Sequence, residues 1–149
     1  METMSPARYA EKRGRASFTG CRVLVVEDEV LLALDVQLIL AQAGCIVVGP
    51  CASADQALTL MDRVKLDCAV VDLTLRGGTG HSVADILSAR HIPFIIWTGR
   101  LPQAVPKALR RSPIEYKPCA PERLLDRLAE ALCSAAFVGS ARCAPVGGW

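Results

Sequence analysis

Apolar residues along this chain fall into two alternating textures. Short, nearly unbroken runs appear at RVLVV (22–26), CIVV (45–48), CAVV (68–71), IPFIIW (92–97) and IEY (114–116). Runs of this length, rich in β-branched residues, suit strands covered on both faces of a sheet. Between them, apolar residues recur at helical spacing through Val30, Leu31, Leu34, Leu38 and Ala41, and through Ala57, Leu58, Met61 and Val64. The same spacing returns at Val83, Ile86 and Leu87, and at Leu124, Leu125, Leu128 and Leu132. Local punctuation agrees: Gly44 suits the C-terminal cap of the first helix, Ser53 the N-cap of the second and Pro121 the first turn of the last. Gly49-Pro50 is expected to end the second strand. The segment LPQAVPKALRR carries Pro102 and Pro106, which allow little regular helix before Pro106. Five strands alternating with five helical segments predict an α/β fold, a doubly wound five-stranded parallel sheet with an irregular fourth helix.

Composition narrows the picture without changing it. The 149 residues suit one domain, and neither a repeat nor a second domain is visible. Residues 1–20 read as a flexible basic leader, 21–133 as the folded body and 134–149 as a flexible C-terminal tail. The leader holds Arg8, Lys12, Arg13 and Arg15 against Glu2 and Glu11, which accounts for the whole formal charge of +2. A neutral body gives no support to nucleic-acid binding. Seven cysteines form no C-x-x-C pair and several lie inside apolar runs, as small core residues of a reducing compartment do. No apolar run approaches the ~18 residues of a membrane helix, and the N-terminal segment lacks the apolar core of a secretory signal. A cytoplasmic location is expected.

The chemistry lies where the strands end. In a parallel sheet, reacting groups collect at the carboxyl edge, and four runs deliver polar residues there: Glu27-Asp28-Glu29, Asp72, Thr98 and Lys117. Three carboxylates converging at one edge repel unless a cation enters, and oxygen-only ligands suit Mg²⁺. No His or Cys stands in ligand register, which disfavours Zn²⁺. A carboxylate beside Mg²⁺ can attack phosphorus and form an aspartyl phosphate, with Thr98 and Lys117 donating to phosphoryl oxygens. Glu29 reads as a first-turn charge of the first helix. His81 reads as a solvated loop histidine, His91 as a partner for helix-terminal carbonyls, and Gly77 to Gly80 as loop flexibility.

VLVVEDE, VVDLTLRGG, PFIIWTG and YKP, in that order, resemble the receiver domain of two-component response regulators across roughly residues 21 to 133. The resemblance implies the flavodoxin-like (βα)5 receiver fold and a signalling phosphoacceptor. It makes Asp72 the phosphoacceptor, Glu27 and Asp28 the acidic pair holding Mg²⁺, Thr98 the switch hydroxyl and Lys117 the phosphate-binding lysine. Thr74 would lend its backbone carbonyl to the metal, and Gly99 would leave the site open. Pro93-Phe94, Thr98-Gly99 and Val83-Ala84-Asp85 are similar to the FAT GUY subgroup, often stand-alone receivers paired with histidine kinases of the HWE or a related type. Trp97 and Arg100 depart from that signature, and Ile114 occupies the position of the usual switch aromatic.

By this resemblance the chain would accept a phosphoryl group from a kinase phosphohistidine or a phosphotransfer protein; with no second domain visible, no DNA-binding domain is expected. Its output passes through docking to an unidentified downstream protein, through a homodimer formed by the face from the fourth helix to the last, or through a phosphate-sink role. Arg100 would stand near the pocket mouth and alter phosphate lifetime. Two other classes remain open from the residues: an aspartyl-nucleophile phosphatase, which would want an acid at Thr74, and a flavodoxin-like binding module.

Overall fold

In the computed structural model, residues 18–75, 78–99 and 102–137 are described. The first two apolar segments form β1 (Arg22–Val26) and α1 (Val30–Gln42), followed by β2 (Ile46–Cys51) and α2 (Ala54–Arg63). Then come β3 (Cys68–Val71), a short hairpin of β4 (Thr74–Leu75) and β5 (Gly78–Thr79), and α3 (Gly80–Ala89). The chain closes with β6 (Phe94–Thr98), two 3-10 turns, β7 (Ile114–Tyr116) and α4 (Pro121–Phe137). Five strands make one parallel sheet in the order β2-β1-β3-β6-β7. The chain winds outward from β1 to one side and from β3 to the other, so a crevice opens at their carboxyl ends.

Both faces of the sheet are covered, which is why its strands read as continuous apolar runs. Val23, Val25, Cys68, Val70, Ile95 and Trp97 pack with Val36 and Leu40 of α1 and Leu124, Leu125 and Leu128 of α4. The alternate positions Leu24, Val26, Ala69, Val71, Phe94 and Ile96 pack with Ala57 and Met61 of α2 and Val83 and Leu87 of α3. Each fully buried leucine contributes roughly 2 kcal/mol of hydrophobic free energy. The helix ends follow local chemistry. Ser53 Oγ accepts from Gln56 N at 3.2 Å, and Gly44 at φ +95° lets the N–H groups of residues 44 and 45 reach back to Ala41 O and Leu40 O.

Several expectations are corrected. β2 does not end at Gly49-Pro50. It runs through to Cys51 by a bulge that places one extra residue opposite β1 between Leu24 and Val26, with Gly49 at φ +98°. As the sheet's edge, β2 tolerates a residue without an N–H. The fourth helix is replaced by 3-10 turns at Pro102–Ala104 and Lys107–Leu109, so the prolines prevent regular α-helix on both sides of Pro106. The segment read as a flexible loop contains β5, which pairs with β4 just before it, and Gly80 opens α3 as a buried residue.

His81 is a half-buried helical residue, not a solvated loop histidine, and its Nε2 is buried without a hydrogen-bond partner. His91 serves the helix end through its backbone: at φ +56°, its N–H reaches Ser88 O while Ile92 N reaches Leu87 O. Glu29 stands at the N-cap of α1 rather than in its first turn, with no side-chain cap bond. Phe18, inside the segment read as leader, is buried, and α4 runs past residue 133 to Phe137. Arg76, Gly77, Arg100, residues 1–17 of the leader and residues 138–149 of the tail lie outside the described residues.

Candidate functional site

Each edge residue is set by a ladder bond of the strand before it. Glu27 N donates to Cys51 O at 2.9 Å, Asp72 N to Val26 O at 3.0 Å, and Lys117 N to Thr98 O at 2.9 Å. The side chains then converge. Lys117 Nζ donates to Glu27 Oε1 at 3.0 Å, to Glu27 Oε2 at 2.9 Å and to Asp72 Oδ2 at 3.1 Å. Asp72 Oδ1 accepts from Thr74 N at 3.0 Å, so the turn after β3 fixes the carboxylate plane. Glu27, Asp28 and Asp72 each offer an oxygen, and these lie within 4.8 Å of one another.

Burial makes this cluster costly when ionised. Glu27 is 2% exposed and Asp72 4%, and the Lys117 side chain is 13% exposed. Three carboxylates crowd round the Lys117 ammonium. Burial, and then the neighbouring Asp72, push the Glu27 carboxyl from 4.5 up to about 7, against the lowering pull of Lys117. The donor set is three carboxylate oxygens, which fits a hard divalent cation such as Mg²⁺. A cavity of about 500 Å³ opens beside it, lined by Asp28, Glu29, Leu32, Asp72, Thr74, Leu75, Gly99 and Lys117.

The raised Glu27 pKa has a measurable sign. Between pH 4.5 and about 7 the folded protein keeps a proton that the unfolded chain has released. Stability of the metal-free protein therefore falls as pH rises through that window, by up to about 3 kcal/mol. Glu27→Gln has no such proton to lose and shows a shallower fall. Thermal melts of both proteins in chelator, from about pH 5 to about pH 8, check this; parallel curves would show that Glu27 titrates like a free glutamate.

Of the residues singled out from the sequence, Glu27, Asp28, Asp72 and Lys117 are brought together and Thr74 lies on the cavity wall. Thr98 ends β6 at the same edge, but it is wholly buried and absent from the cavity lining, which Gly99 joins. Ile114 and Tyr116 are both partly buried against the α2–α3 side of the core.

Two residues at the site escaped the sequence reading. A side chain at Gly80 would run into the Asp72 carbonyl oxygen, so this glycine lets α3 start directly against the backbone of Asp72. The available signal was a glycine placed where a helix begins, obscured by the surrounding G-G-T-G. Trp97 lies beneath Lys117, whose Nζ stands 4.7 Å from its ring centroid. Nearby, buried Glu115 of β7 pairs with Arg123 at 2.6 Å and Arg127 at 3.3 Å, tying α4 to the strand that precedes Lys117.

Comparison with known proteins agrees with this geometry. The family model for the response regulator receiver domain matches residues 23–129. The transcriptional regulatory protein BtsR of Salmonella typhi is 26% identical over 106 residues, covering 69% of this chain and 44% of BtsR. BtsR of Shigella flexneri is 25% identical over 111 residues, covering 72% and 46%. The chain thus spans less than half the length of these curated relatives. Among solved structures, SdrG from Sphingomonas melonis Fr1 is 32% identical at a TM-score of 0.65, covering 78% of this chain and 97% of that one. The response regulator PhyR from Brucella abortus is 28% identical at a TM-score of 0.73, covering 88% and 55%. The family match spans the edge residues from Glu27 to Lys117, and the chain belongs to the receiver domains of two-component response regulators, a family of signalling phosphoacceptors.

Proposed function

We propose that Asp72 accepts a phosphoryl group from the phosphohistidine of a histidine kinase or phosphotransfer protein, and that the resulting mark switches protein–protein contacts. The observation that carries this is the bond from Lys117 Nζ to Asp72 Oδ2, 3.1 Å long, beside a cavity of about 500 Å³. In the transfer, an Asp72 oxygen attacks phosphorus, the P–N bond breaks and the imidazole leaves with its electron pair. Glu27, Asp28, Asp72 and the backbone carbonyl of Thr74 would hold Mg²⁺, which when bound neutralises the acids and the phosphoryl oxygens. Lys117 shifts from Asp72 Oδ2 to a phosphoryl oxygen, and the Thr98 hydroxyl serves a second. The same groups, with water as nucleophile, would assist loss of the mark.

The partner's approach has a physical basis. α1 starts immediately after the acidic run and exposes Val30 (72%), Leu31 (78%), Leu34 and Leu38, an apolar stripe that a helical kinase or phosphotransfer domain would cover. Kinases of the HWE or a related type fit a receiver resembling the FAT GUY subgroup. Output through a homodimer would use the face from the 3-10 turns to α4. No described helix is long and apolar enough to cross a membrane, and the six described cysteines are free, which supports a cytoplasmic site of action.

Incubation with Mg²⁺ and acetyl phosphate, followed by intact-mass measurement and peptide mapping, tests this. The expected result is one phosphoryl group per chain, on the peptide containing Asp72, and none in excess chelator. Turnover of the donor without an adduct would instead mark a phosphatase, and neither outcome would leave a binding module.

A further inference from the structure

We infer that Trp97 is a positioning residue acting through Lys117: its indole face keeps the ammonium over the Asp72 carboxylate and so sets the rate of phosphoryl uptake. This rests on the reading of Asp72 as phosphoacceptor. Trp97 comes from β6, is buried in the core between the sheet and α1–α4, and presents its ring to Lys117 Nζ at 4.7 Å. The other described partners of that ammonium are Glu27 and Asp72. Asp72 changes state as the site works, by esterification, and the ring does not. When Lys117 gives up Asp72 Oδ2 for a phosphoryl oxygen, the indole is the partner that stays constant and limits how far the lysine swings.

The choice of ring supports a role beyond filling space. The Trp97 indole N–H is buried with only the weakly accepting Cys119 thiol to receive it. A buried N–H so poorly paired is unfavourable, and a phenyl ring would pack without one. What indole adds is the strongest aromatic face for a cation, and the attraction is greatest where water is excluded.

The experiment compares wild type, Trp97→Phe and Trp97→Leu for the rate of acetyl phosphate labelling, alone and in a Lys117→Ala background. Circular dichroism identifies the folded variants, and Trp97→Phe preserves the comparison should Trp97→Leu fail to fold. Trp97→Leu is expected to slow labelling roughly 2- to 30-fold, the scale of one cation–ring contact, with Trp97→Phe intermediate. In the Lys117→Ala background the same substitution has no further effect. Equal slowing in both backgrounds would reduce Trp97 to a structural residue, and unchanged rates would remove the inference outright. A second readout needs no phosphoryl transfer: the indole ring current moves the Lys117 ε-methylene proton signals upfield in wild type and not in Trp97→Leu. Signals at ordinary lysine positions in wild type would show that the contact does not persist in solution. Failure of wild type to label while the upfield signals are present would instead strike at Asp72 as acceptor, and the rate argument would fall with it.

Discussion

Asp72→Asn takes up no phosphoryl group from acetyl phosphate under conditions that label wild type to completion. The amide keeps the shape of the carboxylate, and its oxygen can still accept from Thr74 N as Asp72 Oδ1 does at 3.0 Å. What it loses is the nucleophile, because the amide nitrogen's lone pair is delocalised into its carbonyl. The second position then points an N–H₂ group at Lys117 Nζ, a donor against a donor, where an ion pair of 3.1 Å stood. The substitution also lightens the charge on its neighbour. Asp72 helps hold the Glu27 carboxyl up at about 7, so the pKa of Glu27 falls and the pH slope of stability becomes shallower than in wild type. Mass spectrometry and melts check both parts. A full adduct on the Asp72→Asn protein would move the acceptor elsewhere, with Asp28 the first place to look.

Gly80→Ala is the second large effect, and it acts without touching a side chain of the site. The added methyl group would meet the Asp72 carbonyl oxygen, with the Asp72 carbonyl carbon at 2.9 Å and Val71 Cγ1 at 3.0 Å. Two of these atoms are backbone, so no flexible side-chain end can swing aside. Either α3 retreats from the sheet or the peptide after Asp72 tilts, and the second moves the carboxylate relative to Lys117. Overpacking of this kind costs about 3 kcal/mol or more, which lowers Tm by roughly 10 °C in a domain of this size. The matching control is Gly99→Ala, where the new methyl meets nothing within 4 Å, and Tm should move by no more than about 2 °C. Comparable losses at both positions would mean that the close approach of Gly80 to Asp72 is not maintained in solution.

The legible parts of this protein are those written in local pattern. Unbroken runs became central strands because each is sealed by helices on both faces, and Gly44 and Ser53 cap helices because their conformational and hydrogen-bonding preferences need no distant partner. The order Glu27-Asp28, Asp72, Lys117 along the chain was enough to expect them at one edge, and the fold brings Lys117 within hydrogen-bonding distance of Glu27 and Asp72, with an oxygen of Asp28 within 4.8 Å of oxygens of both acids. What escaped depended on contacts far apart in sequence. Pro50 looks like a strand terminator until β2 is known to lie at the border of the sheet, where its missing N–H costs no ladder bond. Gly80 looks like loop chemistry until the carbonyl of Asp72 is seen against it. Trp97 stands out in the sequence only as a departure from the FAT GUY signature, and only the register of β6 against β7 sets it beneath Lys117. The two 3-10 turns in place of a helix were half legible, since Pro102 and Pro106 forbid regular helix locally but do not specify the turn that replaces it.

The bulge in β2 carries a consequence for how copies of this protein meet. A straight border strand with a free row of amides and carbonyls would recruit another chain and let the sheet grow from molecule to molecule. Here that row is broken at Gly49-Pro50, where the spacing slips by one residue and one amide is missing. A neighbour approaching this flank finds its hydrogen bonds out of step after three residues, which disfavours growth of the sheet along β2.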